Sequence, residues 1–180
     1  MIKTLLQATQ LILKAGLHLS DLSQTPRLDV VIDGADECDE ELTLIKGGGG
    51  CQLQEKIVAA CGDKMVVIAD YRKKSQHLGE QWKKGIPVEV VPMAYVPVMD
   101  KIRALGLDPV LRMAQNKAGP VVTDNGNFVV DAKFSEVHDW DLLETKLCRM
   151  PGIVETGLFV GYASAAYFGM EDGSVSVLQN

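Results

Sequence analysis

A chain of 180 residues, 47% hydrophobic and 23% charged, has an ordinary soluble-protein composition and room for one domain or two small ones. Its 18 basic and 24 acidic residues leave a net charge of −6, which argues against a general nucleic-acid binder, because such a protein needs basic charge to neutralise phosphates. No apolar run approaches the ~20 residues of a membrane span, and Lys3, Gln7, Gln10 and Lys14 interrupt what would have to be a signal peptide's apolar core. Four cysteines (Cys38, Cys51, Cys61, Cys148) without CxxC spacing, beside only three histidines, read as reduced thiols of a cytosolic protein rather than as zinc ligands or disulfides.

In chain order, LLQATQLILKAG sets Leu5, Ala8, Leu11, Ile12 and Ala15 at helical spacing, with Gly16 as a stop. LDVVID (28–33) is a short apolar run ending in an acid and predicts a buried strand; CQLQEKIVAAC predicts a helix; KMVVIAD (64–70) predicts a second strand. Strands alternating with helices predict a parallel sheet, and ligands of such sheets bind beyond the strand carboxyl ends, where Asp33 and Asp70 would lie. The character changes near Ile86. PVEVV reads as a strand, VPVMDKIRALG as a short helix closed by Gly106, and DWDLLETKL as another helix. PVVTDNGNFVVDAKF reads as a hairpin about Asn125-Gly126, the pair that suits a type I′ turn. IVETGLFVG reads as a strand, and GMEDGSVSVL ends in one. The predicted fold is α/β: a parallel, Rossmann-like sheet from residues about 1–85 and 158–180, with a smaller α+β lobe, 86–157, inserted between.

LIKGGGGCQLQEKI (44–57) places four consecutive glycines between a lysine and a helix. Closely flanking apolar residues argue against a slack linker. The dinucleotide pattern G-x-G-x-x-G would need glycine where Gln52 or Leu53 stands, and Walker A needs its lysine after the glycines, whereas Lys46 precedes them. Two readings stay open: a loop presenting backbone N–H groups to an anion or a developing oxyanion, or a tight turn against a neighbouring element. The acidic run DGADECDEE precedes it. Asp39 to Glu41 read as a solvated loop, whereas Asp33 ends an apolar strand and Gly34 permits a sharp turn after it. Glu55, pointing away from the Leu53/Ile57 stripe, reads by itself as a surface glutamate favoured by the helix dipole.

Taken whole, DGADECDEELTLIKGGGGCQLQEKI (33–57) resembles the signature of type A ribose-5-phosphate isomerase: D-G-A-D-E, a K-G-G-G-G loop, then a glutamate in the next helix. The resemblance runs from about Thr4 to the C-terminus through VIAD, PVEVVP, LR, VVTDNGN and PGIVETGLF, and GIPVEVVPMAYVPV and YFGMEDGSV look closest to the eukaryotic branch. It implies isomerisation of ribose 5-phosphate and ribulose 5-phosphate through an enediolate, without a metal or other cofactor, in the non-oxidative pentose phosphate pathway. It implies Glu55 as the base moving a proton between C1 and C2. Asp33, Asp36 and Lys46 would stand around the sugar hydroxyls and carbonyl. Gly34, Ala35 and Gly47, Gly48, Gly49 and Gly50 would contact substrate, and Lys73 would contact the phosphate. A cytoplasmic homodimer or higher homo-oligomer is the expected form, with a small sugar phosphate as partner and neither nucleic acid nor membrane. Two features depart from the family. Leu5 replaces the serine of a Thr-Ser pair begun by Thr4, and the Gly-Thr-Gly-Ser-Thr-like phosphate loop of a preceding βα unit does not occur in these residues. The corresponding expectation is a chain that self-associates, binds substrate weakly and turns over slowly. The rival expectation is a non-catalytic sugar-phosphate-binding or subunit-interaction protein derived from a shortened isomerase.

Overall fold

The computed structural model describes residues 1–2 and 6–179, so the expectations for Thr4 and Leu5 lie outside the described residues. The first helix, α1 (Leu6–Lys14), ends as its pattern requires: Gly16 takes φ +67°, a conformation that costs glycine little. Of the predicted strand 28–33, only β1 (Val31–Asp33) pairs as a strand, while Leu28 makes a single bridge to Gly62. The acidic run folds back on itself as β2 (Glu37–Cys38) and β3 (Leu44–Ile45). Helix α2 (Gln52–Ala60) leads into β4 (Met65–Asp70). Then come β5 (Ile86–Val90), α3 (Tyr95–Ala104), β6 (Asp108–Leu111), β7 (Phe128–Lys133) and α4 (Trp140–Cys148). The chain closes with β8 (Ile153–Thr156), β9 (Leu158–Phe159), β10 (Ala163–Gly169) and β11 (Val175–Gln179).

These strands make three sheets. The first has the order β1-β4-β10-β11, parallel throughout except for the terminal β10–β11 hairpin. This is the α/β sheet that the alternating pattern predicts. The second, β2-β3-β9, is small and antiparallel. The third, β6-β7-β5-β8, is antiparallel and packs α3 and α4 through Val98, Ile102, Leu143 and Leu147 onto Val88 and Val130. Burying each such side chain contributes about 1.5–3 kcal/mol relative to exposure.

Three local expectations are corrected. The residues before Asn125-Gly126 do not form a ladder strand; Val122 makes one bridge to Phe128. Nor is the turn type I′, which needs positive φ at both central residues. Gly126 has φ +79° while Asn125 does not have positive φ, and the turn closes by Gly126 N–H donating to the Thr123 carbonyl at 2.9 Å. The reason is tertiary: one oxygen of buried Glu89 accepts from Thr123 Oγ1, Asn125 Nδ2 and Asn127 Nδ2 at 2.8, 3.1 and 2.9 Å, so side-chain bonds dictate the turn. IVETGLFVG breaks at Gly157, whose N–H donates to Pro87 O at 2.6 Å and whose carbonyl accepts from Lys46 N at 2.8 Å. A Cβ there would lie 2.1 Å from the Lys46 carbonyl, so only glycine permits this junction between the third sheet and the glycine loop. Finally, Asp39 is buried rather than solvated, accepting from the Glu41 and Thr43 N–H groups at 3.0 and 2.8 Å, while Glu40 and Glu41 are exposed as expected.

Period-2 alternation puts Val31, Met65, Val67, Ala166 and Phe168 on the buried face of the first sheet. Its other face carries Ile32 (60% exposed), Ile68 (56% exposed), Tyr167, Val175 and Val177, and β1 is an edge strand. An uncovered apolar face beside an unprotected edge drives association. The 180-residue chain is therefore expected to self-associate in sedimentation velocity, and Ile68→Lys with Val177→Lys to raise the monomer fraction without lowering Tm. A monodisperse monomer for the unsubstituted chain would defeat this expectation.

Candidate active site

Beyond the carboxyl end of β1 the chain turns at Asp33-Gly34, where Asp33 Oδ1 accepts the Gly34 N–H at 2.8 Å. This local bond directs the other carboxylate oxygen, Oδ2, toward Lys46, whose Nζ lies 3.1 Å away. Lys46 leaves the end of β3 and is only 3% exposed. Its Nζ donates to the Gly34 carbonyl at 2.5 Å and lies 3.4 Å from Glu55 Oε2. One ammonium thus stands between two carboxylates contributed by different elements. Asp33 Oδ2 and Glu55 Oε2 are both buried and face the Lys46 ammonium as ion-pair partners without a well-aligned hydrogen bond. Buried acceptors whose hydrogen-bonding capacity is not filled mark functional positions.

Glu55 corrects the surface reading. Helix α2 does not bury a Leu53/Ile57 stripe: Ile57 is exposed, and the buried side chains are Gln52, Lys56, Val58 and Ala59. That rotation carries Glu55 inward, to 14% side-chain exposure. Burial raises its pKa above the usual carboxylate value, Lys46 opposes the rise, and Asp33 adds to it. A carboxylate shifted upward approaches the range in which it both takes and returns a proton at neutral pH. Lys56, the next residue, is anchored between Glu144 and Glu155 at 2.5 and 2.8 Å. These bonds fasten α2 to α4 and β8 and fix the height at which Glu55 is presented.

The glycine loop closes the site, and three of its four glycines are required by backbone angle or close approach. Gly47 and Gly50 have φ of +96° and +76°, which strain residues with a Cβ. At Gly48 a Cβ would lie 2.6 Å from Asp36 Oδ1 and 2.8 Å from the Trp82 ring. Gly49 faces open space. Asp36 Oδ2 accepts the Gly48 N–H at 2.6 Å, and the Gly50 N–H returns to the Gly47 carbonyl at 2.9 Å. The Gly49 N–H donates to no described residue.

A cavity of about 210 Å³ is lined by Asp33, Gly34, Ala35, Asp36, Lys46, Gly47, Gly48, Gly49 and Glu55. Two of the residues singled out in the sequence lie off this lining. Gly50 is buried, and Lys73 sits with its Nζ 6.0 Å from the centre of the ring of Trp82, the tryptophan that a Cβ on Gly48 would meet. A larger groove, about 710 Å³, runs between α1 and β1, but its lining is mostly apolar and shares only Asp33 with the charged site. Among the described residues no group of three or more His, Cys, Asp or Glu side chains is placed to hold a metal ion, and all four cysteines are free. Three supporting residues were not singled out in the sequence as site elements: Glu89, Lys56 and Arg112. For Glu89 a signal existed, a carboxylate in the middle of the apolar strand PVEVV.

Fold and site together define a class: an α/β protein that holds a buried carboxylate–ammonium–carboxylate cluster and a glycine loop at the carboxyl end of a parallel strand. The sequence model of ribose 5-phosphate isomerase A (phosphoriboisomerase A) matches residues 1–173, and the chain belongs to that family. It is 60% identical to the ribose-5-phosphate isomerase of Dictyostelium discoideum, over 98% of this chain and 77% of that one. It is 58% identical to the Homo sapiens enzyme, spanning 98% of this chain but only 57% of the relative. The solved ribose 5-phosphate isomerase A of Methanocaldococcus jannaschii superposes with a TM-score of 0.92 at 39% identity, covering 99% of this chain and 77% of that one. A D-ribose-5-phosphate isomerase solved in complex with phospho-erythronic acid superposes with a TM-score of 0.94 at 36% identity, again over 99% and 77%.

Proposed function

We propose that this chain interconverts ribose 5-phosphate and ribulose 5-phosphate, as a cytoplasmic homo-oligomer serving the pentose phosphate pathway. The observation that carries the reading is the buried Lys46 ammonium between Asp33 and Glu55, backed by the glycine loop. In the open-chain aldose, the Glu55 carboxylate takes the C2 proton. The C–H electron pair forms the C1–C2 double bond and the carbonyl pair moves onto O1. Lys46 and the Gly49 N–H hold the enediolate's charge. The hydroxyl proton passes from O2 to O1, and Glu55 returns its proton to C1, completing the ketose without net loss of atoms or charge. Asp33 Oδ2 and the free oxygen of Asp36 accept sugar hydroxyls. Phospho-erythronic acid, bound by a relative, carries a planar anionic carboxylate where the enediolate has its two oxygens, which suits the same donors.

The test is a coupled assay of ribulose 5-phosphate formation by the purified chain; turnover no faster than a heat-inactivated sample would end the reading. Lys73 is assigned to the phosphate end. Lys73→Ala is expected to raise KM for phosphorylated sugars ~10-fold or more with a smaller change in kcat, the pattern of lost uniform binding. Unchanged inhibition by phospho-erythronic acid would remove Lys73 from that role.

A further inference from the structure

We propose that Arg112 and Asp131, which lie outside the cavity lining, are positioning residues that set the orientation of the glycine-loop peptides and thereby aim the Gly49 N–H at the reacting oxygen; this rests on the isomerase reading above. Arg112 follows β6, and its main chain is fixed on both sides: its N–H donates to Val129 O at 2.9 Å and its carbonyl accepts from Val121 N at 2.9 Å. Its guanidinium grips Asp131 of β7 through two parallel bonds, Nε to Oδ2 at 2.8 Å and Nη2 to Oδ1. The remaining nitrogen, Nη1, donates to the carbonyls of Gly47 and Gly48 at 2.9 and 3.1 Å. A planar guanidinium held by a carboxylate directs the two N–H groups of one nitrogen at two consecutive peptide oxygens with fixed geometry.

The consequence follows from peptide geometry. In a trans peptide the C=O and N–H point in opposite directions. The Gly47–Gly48 peptide is held at both ends, with its carbonyl on Arg112 and its N–H on Asp36 Oδ2 at 2.6 Å. Asp36 lines the cavity, so the side of this peptide opposite Arg112 is the cavity side. The Gly48–Gly49 peptide has its carbonyl on the same guanidinium, so its N–H is sent away from Arg112. Glycine on both sides of that peptide makes a flip cheap, and Arg112 is what opposes it. A cation on the carbonyls also polarises both peptides and strengthens their N–H groups as donors. The third sheet therefore supplies the oxyanion geometry of a site whose reacting groups come from the ends of β1 and β3 and from α2.

The experiment uses the whole chain with Arg112→Lys, Arg112→Gln and Asp131→Asn. Each is expected to lower kcat by ~10–100-fold, less than the loss of an oxyanion donor outright, with KM changed less than kcat and the acid limb of the pH profile unmoved, because Glu55 is untouched. The Gly48 and Gly49 amide ¹H–¹⁵N resonances, with their hydrogen exchange, give a readout that needs no turnover. They are expected to shift and exchange faster in each variant while the Lys56-anchored amides of α2 do not. Parent-like kcat and parent-like glycine amides in Arg112→Gln would overturn the proposal, as would a kcat loss explained entirely by a lower folded fraction. If the parent chain has no isomerase activity, the functional reading fails, and the amide readout still decides whether Arg112 orders the loop.

Discussion

Glu55→Gln lowers kcat by ~10²–10⁴ with a smaller change in KM, the signature of a lost general base. Glutamine keeps the shape and hydrogen-bonding reach of glutamate but cannot take a proton from carbon. The parent is expected to show kcat/KM rising with pH through Glu55's raised pKa, since the ionised carboxylate is the active form. The variant's residual rate should lack that limb. Stability runs the other way. Glu55 binds a proton more readily folded than unfolded, so its contribution is fully present below the unfolded value and is lost as pH rises through the raised folded value. Glu55→Gln should remove that fall and hold Tm at neutral pH at or above the parent's, measured by calorimetry across the pH range. Wild-type kcat in the variant would take Glu55 out of the mechanism.

Lys46→Met is expected to cut turnover at saturating substrate by ~10²–10³, comparable to losing an oxyanion donor, and also to move the surviving acid limb to higher pH. The two effects share one cause. Lys46 is the charge that opposes the rise in Glu55's pKa, and Asp33 adds to that rise. Without the ammonium the two carboxylates face each other with nothing between, which drives the pKa of Glu55 further upward. Breaking a buried ion pair by removing one partner costs up to ~3–5 kcal/mol, less here where a carboxylate can neutralise itself by protonation. Turnover over a range of pH, with Tm measured beside it, separates the catalytic loss from the structural one. A limb that stays in place would show that Lys46 does not govern the base.

The alternation of apolar runs and helical spacing determined the α/β class by itself, because period 2 and period 3.6 are local properties of a chain. The glycine quartet, the acid that ends β1 and the lysine before the glycines were equally legible, since each is a residue type whose chemistry is unusual where it stands. The strand β10 was not. ASAAYFG (Ala163–Gly169) is small and weakly strand-forming, yet it runs down the middle of the sheet between β4 and β11. Its pairing with residues almost a hundred positions away, not its propensity, makes it a strand. Tertiary structure also decided which face of α2 turns inward. Apolarity favoured Leu53 and Ile57, but Lys56 finds two carboxylates from α4 and β8, and that ion cluster rotates Glu55 from the surface into the cavity. Asp39 reversed in the same way, because two backbone N–H groups of its own turn satisfy it once buried. Arg112 stands sixty-five positions from Gly47 and meets it only when the third sheet packs against the loop. Sequence specifies which groups can do chemistry; long-range packing sets their angles and burial, because the hydrogen-bond partners and the low dielectric that shift a carboxylate come from segments far away in the chain.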